Sequence, residues 1–149
     1  MIGLDTSYLV AVTLREHPAH KAAWQLFERE IRGHDGSVAL APQALAEFVH
    51  VVTDHRRFER PLEVDDALAV AEKWWNASEC RQVPADREAV SIFLDWMTFH
   101  RLGRKRLLDT LLAACYRAAG ITRLATTGWR DFEVYGAFEL LRMAPSSED

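Results

Sequence analysis

The sequence predicts an α/β domain in which a mainly parallel sheet is covered by helices on both faces. Two observations predict it. Short apolar runs at Ile2–Leu4, Val38–Ala41 and Arg123–Thr127 alternate with longer segments whose apolar residues recur at helical spacing. The chain has 149 residues, 49% of them hydrophobic, which suits one compact domain over residues 1–149 with a continuous core.

The elements follow in chain order. Ile2–Leu4 reads as a short buried strand, followed by a helix from Thr6 to Arg15 that His17-Pro18 ends, because proline keeps its predecessor out of helical geometry. A second helix runs from Ala19 to Ile31 with Ala23, Trp24, Phe27 and Ile31 on one face, and Gly33–Gly36 stops it. Val38–Ala41 is the second strand. Pro42 then suits the first turn of a helix, where its missing N–H is harmless, and Leu45, Phe48, Val49 and Val52 form that helix's core stripe, with Glu47 off it. After a polar loop at Arg56–Pro61, a helix from Val64 to Ala77 carries Trp74 and Trp75.

Arg81–Pro84 is read as a third strand, and a helix from Arg87 to Phe99 is expected to face Val90, Phe93, Leu94 and Met97 inward. A basic link, Arg101 to Arg106, leads to a helix from Leu107 to Ala119 that should bury Leu108, Leu111, Leu112, Cys115 and Ala119 before Gly120 ends it. Arg123–Thr127 is the fourth strand and Glu139–Met143 a fifth. The tail from Pro145 to Asp149 is expected to fray.

Composition narrows the function. A formal charge of −4 argues against a general polyanion binder, since phosphate affinity needs clustered Lys and Arg. Cys80 and Cys115 lack CxxC spacing and read as reduced thiols, and the six histidines show neither HxxxH nor HExxH spacing, which argues against zinc. No apolar stretch approaches the roughly 20 residues a membrane span needs, and no signal peptide is recognised, so a cytoplasmic protein without membrane contact is expected.

Asp5 is the most telling residue. It follows the first apolar run directly, at the place where open α/β sheets deliver ligand-binding groups from the carboxyl ends of their strands. Glu47 lies on the helix after the second strand, Asp109 in the first turn of the helix from Leu107, and Asp131 after the fourth strand. Carboxylates gathered in one place repel one another unless a cation compensates, and hard cations such as Mg²⁺ and Mn²⁺ prefer oxygen ligands and accept phosphate oxygens. Such a site reads as phosphodiester hydrolysis by metal-activated water. No nucleophile stands beside a base, so no covalent intermediate is implied. A DxD-type receiver or phosphatase domain fits badly, since no paired acid follows the first strand. Each acid also has a plain structural role open to it: Asp5 as a helix cap, Asp109 as partner of a helix dipole, Glu47 as a solvated residue and Asp131 in a turn.

Four segments carry a resemblance: Asp5-Thr6-Ser7, Ala46-Glu47-Phe48, Leu108 to Ala114 around Asp109, and Thr126 to Phe132 around Asp131. In order and spacing they resemble the PIN-domain ribonucleases, and the small chain with an early Asp looks like a VapC-type toxin of a bacterial type II toxin–antitoxin pair. The resemblance covers nearly the whole chain. It implies a three-layer α/β/α fold with four or five strands, Mg²⁺- or Mn²⁺-dependent endoribonuclease activity on RNA, a VapB-like antitoxin partner and a homodimer. By position it makes Asp5, Glu47, Asp109 and Asp131 the catalytic acids, with Asp5, Asp109 and Glu47 as metal ligands and Thr6 and Ser7 orienting them. Arg104, Lys105, Arg106 and Arg130 are RNA-binding candidates, Arg56 and Arg57 with Phe58 read either as an RNA contact or as a surface turn, and Trp129 stands out among tryptophans otherwise assigned to core or dimer interface. One departure marks this chain. Many members carry Asp or Asn two residues after the Thr that matches Thr126, where this chain has Gly128, so Asp131 must supply the fourth acid or the site works with three. The alternative reading is a catalytically weak PIN-like module that binds RNA or protein.

Overall fold

A computed structural model describes residues 1–146. Within it, the five strands β1 (Ile2–Leu4), β2 (Val38–Leu40), β3 (Cys80–Gln82), β4 (Arg123–Thr126) and β5 (Glu139–Arg142) form one sheet in the order β3-β2-β1-β4-β5, and every neighbouring pair is parallel. The helices are α1 (Thr6–Thr13), α2 (His20–Leu26), α3 (Pro42–Val52), α4 (Val64–Asn76), α5 (Arg87–Phe99), α6 (Leu107–Ala118) and the short α7 (Arg130–Glu133). This is the α/β class expected, with a five-stranded parallel sheet.

The central strands are buried on both faces, as a parallel sheet between helical layers requires. Gly3 faces α6. A Cβ there would stand 3.0 Å from the Tyr116 ring, so only glycine lets the helix come this close. Ile2 and Leu4 point the other way and are equally buried. The fully buried Tyr116 hydroxyl donates to Leu4 O at 2.5 Å and accepts from Ala41 N–H at 3.3 Å, tying α6 to the ends of β1 and β2. Burial pushes the Tyr116 phenol well above the usual tyrosine range.

Several boundaries and faces differ from the sequence reading, each for a local reason. The third strand starts at Cys80 rather than Arg81 and ends before Pro84, which has no N–H to extend the ladder; Val83 N–H makes the last bond, to Leu40 O at 2.9 Å. The first helix stops at Thr13, with Leu14 already extended. The second is α-helical only to Leu26 and widens into a π turn at Phe27–Ile31, closed by Arg32 N–H donating to Phe27 O. On α5, Val90 and Leu94 are exposed, at 41% and 57%, because the helix packs on α6 through the row Ala89, Phe93 and Trp96. Leu108, on the first turn of α6, is 62% exposed rather than buried; Leu112 and Cys115 are buried as expected, together with Thr110, Ala113, Ala114 and Tyr116. None of the five tryptophans is fully buried. Of the tail expected to fray, Ser146 donates its N–H to Pro18 O at 2.9 Å, and Ser147–Asp149 lie outside the described residues.

Among the described residues, no helix is long and apolar enough to cross a membrane.

Candidate active site

The sheet order reverses between β1 and β4: the chain builds β1, β2 and β3 outward in one direction, then crosses to lay β4 and β5 on the other side. A crevice opens outside the carboxyl ends of two strands that part in this way. Asp5, the residue after β1, sits there with its N–H on Ala125 O of β4 at 3.1 Å, and its side chain is almost fully buried.

Two hydroxyls hold that carboxylate. Ser7 Oγ donates to Asp5 Oδ2 at 2.6 Å and Thr126 Oγ1 donates to the same oxygen at 2.8 Å. Both hydroxyls also accept backbone protons, from Thr127 N–H at 2.9 Å and Gly128 N–H at 3.0 Å, and they stand 3.1 Å from each other. Burial pushes the Asp5 carboxyl above its usual range, the two hydroxyl bonds pull it down, and Glu47 raises it further.

Glu47 reaches the same place from α3. Thr6 Oγ1 stands 3.2 Å from Glu47 Oε2 and 3.3 Å from Ala44 O, donating toward either. Asp109 comes from the first turn of α6, and its carboxyl is pushed up to about 7, first by burial and then by Asp5, Glu47 and Asp131, with Arg106 opposing. Asp131 lies in α7, and its Oδ2 falls 3.5 Å from where a Cβ on Gly128 would stand. The carboxylate absent at position 128 is thus replaced in space by one three residues later.

Asp5, Glu47, Asp109 and Asp131 all line one cleft of about 280 Å³, together with Thr6 and Ser7. Its wall also includes His17, Arg57 and Phe58. The sequence reading missed His17, which looked only like a helix terminator, and favoured a surface turn over an RNA contact for Arg57 and Phe58. His17 Nδ1 accepts Ala19 N–H at 3.0 Å, so the neutral ring carries its proton on Nε2, and burial and the neighbouring His20 lower its basicity.

The basic run is placed differently. Arg104, Lys105 and Arg106 form a 3-10 turn outside the cleft wall, with the first two exposed. Arg106 is half-buried and donates to the Asp131 carbonyl oxygen, linking the start of α6 to α7. Thr110 and Tyr135 add a second link between these segments, with their hydroxyls 2.6 Å apart. Arg130 is exposed beside Trp129.

No three His, Cys, Asp or Glu side chains among the described residues stand close enough to enclose an ion unaided. The donor set nevertheless suits one kind of ion. Its carboxylates offer oxygen alone, and burial, followed by repulsion from the other three acids, pushes the Asp109 carboxyl up to about 7. A hard divalent cation that keeps waters and takes substrate oxygens needs only a few protein carboxylates.

The comparisons with known proteins bear on family and fold. The PIN-domain family model matches residues 2–137. No curated protein matches the chain. Among solved structures, it is similar to VapC20 of Mycobacterium tuberculosis, a sarcin–ricin loop cleaving toxin, with a TM-score of 0.72 and 18% identity over 95% of this chain and 99% of that one. It is similar to the DNA-bound VapBC of Salmonella typhimurium, with a TM-score of 0.64 and 17% identity over 97% and 100%. VapBC2 of Rickettsia felis, bound to a fragment of promoter DNA, gives 0.66 and 13% over 97% and 100%. At these identities the likeness is one of fold.

Proposed function

This chain belongs to the PIN-domain family, and on that premise we propose that it is a Mg²⁺- or Mn²⁺-dependent endoribonuclease, the toxin of a toxin–antitoxin pair. One observation carries the reading: Asp5, Glu47, Asp109 and Asp131, from four separate segments, line a single cleft at the point where the sheet order reverses. The similar folds include a sarcin–ricin loop cleaving toxin and two VapBC assemblies, which support a VapB-like antitoxin as partner. A homodimer and a cytoplasmic location belong to the same proposal.

Asp5 and Asp109 would hold the cation, with Glu47 holding it or its water and Asp131 completing the acidic wall. When bound, the cation supplies Lewis-acid charge at the phosphate and makes a coordinated water a stronger acid. The remaining steps fall to this chain. Both hydroxyl bonds to Asp5 fall on Oδ2, which leaves Oδ1 without a side-chain donor among the described residues. Thr6 steadies Glu47, and Arg106 fixes the backbone that carries Asp131. Arg57 and the Nε2–H of His17 supply donors on the cleft wall for non-bridging phosphate oxygens.

The test is cleavage of a mixed pool of single-stranded and structured RNAs by wild type and Asp5→Asn, in Mg²⁺ or Mn²⁺ and in EDTA. Circular dichroism first establishes equal folding. Wild type should cut only with metal, and Asp5→Asn should be slower by about a hundredfold or more. No cutting by a folded wild type under any of these conditions would replace the enzyme by the binding module suggested by Gly128.

A further inference from the structure

We propose that a recess beside the carboxylate cleft, built on Trp129, Arg130 and Arg142, is a subsite for one unpaired RNA base and its phosphate, next to the bond that is cut. This rests on the ribonuclease reading and adds to it where the strand lies. The recess, about 440 Å³, is lined by the run Thr127 to Asp131 and shares Gly128 and Asp131 with the cleft. Whatever fills one therefore abuts whatever fills the other, as neighbouring nucleotides do on a strand.

Gly128 keeps the shared wall low. A Cβ there would stand 3.5 Å from Asp131 Oδ2 and 3.9 Å from Thr126 Oγ1, so a longer side chain would grow into the boundary between the two spaces. The missing acid at this position thereby acquires a role: its absence connects the cleft to the recess, while Asp131 restores the charge.

The chemistry of the recess suits a nucleotide. Trp129 is half-buried, and two guanidinium groups lie against its ring, Arg142 at 3.9 Å and Arg130 at 5.0 Å from the centroid. Glu133 pairs with Arg142 beside the ring, with Oε1 at 3.2 Å. Arg130, against the same ring, is exposed and makes no ion pair among the described residues, so its charge is unmatched where a phosphate would lie. A flat aromatic and cationic platform with a spare positive charge stacks bases of any kind and holds the backbone beside them. In a protein of net charge −4, such local placement of cations is how a polyanion is held at all.

The test is fluorescence anisotropy with a short fluorescein-labelled single-stranded RNA of random sequence, in Ca²⁺, with RNA integrity checked afterwards. An all-abasic strand of the same length serves as control. Trp129→Ala should weaken binding of intact RNA about tenfold or more while leaving the abasic strand unchanged, and Trp129→Phe should recover most of the loss. Arg130→Gln, at an exposed position that leaves the fold alone, should lower the salt-dependence slope by about one. Affinity for Mn²⁺ alone should be the same in all three variants. Wild-type affinity of Trp129→Ala for intact RNA, or an equal loss on both strands, would overturn the subsite. If that happens while wild type still cuts RNA, only the subsite has failed; a wild type that neither binds nor cuts RNA refutes the ribonuclease reading and the subsite with it.

Discussion

A carboxyl group held up to about 7 by burial and by three neighbouring acids opposes folding, and Asp109 is that group. Its ordinary value is 3.8, so in metal-free buffer the folded state keeps a proton that the unfolded chain has released. The folded pKa is the raised one; this contribution to stability is therefore fully present below 3.8 and lost as the pH rises through about 7. In EDTA the Tm should fall between about pH 5 and pH 8, and Asp109→Asn should flatten that decline. At the upper pH the variant should be more stable than wild type by on the order of 1–2 kcal/mol after solvent screening, several degrees in a scanning calorimeter. A variant less stable than wild type at both ends would mean that Asp109 serves the fold rather than a ligand. The residues around Asp5 work in the opposite sense. Ser7 and Thr126 donate to the Asp5 carboxylate and pull its pKa down against the larger upward effect of burial.

The helix that presents Asp109 is held by a contact two turns away. Tyr116 lies seven residues further along α6, on the same helical face, with its ring against Gly3 and its hydroxyl on Leu4 O. Gly3→Ala would bring a methyl within 3.0 Å of that ring and push α6 off β1. Overpacking of this kind costs about 1–3 kcal/mol, and Tyr116→Phe, which leaves Ala41 N–H and Leu4 O without their partner, should cost a similar amount. Urea midpoints measure both; Gly3→Ala should also weaken Mn²⁺ binding, because α6 carries a ligand. The strands were legible at this scale, since Ile2–Leu4, Val38–Leu40 and Arg123–Thr126 are apolar runs with nothing helical in their period. The faces of α5 and α6 were less so. Periodicity says that a helix has an apolar side but not how it is turned, and Val90, Leu94 and Leu108 became exposed because these helices pack on each other as well as on the sheet. The single turn α7 is too short to leave a period.

Across the whole molecule, Asp5, Asp109 and Asp131 were legible because each follows a strand or lies in the first turn of a helix, and a parallel sheet carries such junctions to one end; Glu47, the sixth residue of α3, was legible as an acid off that helix's core stripe. His17, Arg57 and Phe58 belong to the same cleft but stand in connecting segments, whose path depends on tertiary packing rather than on local pattern. The pairing of Trp129 with Arg142 was invisible for the same reason, since it joins the end of β4 to an edge strand thirteen residues later that only the fold brings alongside. The claim on which the rest depends is that Asp5, Asp109 and Glu47 hold a divalent cation, with Asp131 completing the acidic wall. Isothermal titration of Mn²⁺ into metal-free wild type, Asp5→Asn and Asp109→Asn, all folded by circular dichroism, tests it without reference to any substrate. The account predicts binding by wild type and affinity at least about tenfold weaker in each variant. Equal Mn²⁺ affinity in all three proteins, or no binding by wild type at about millimolar metal, would contradict it.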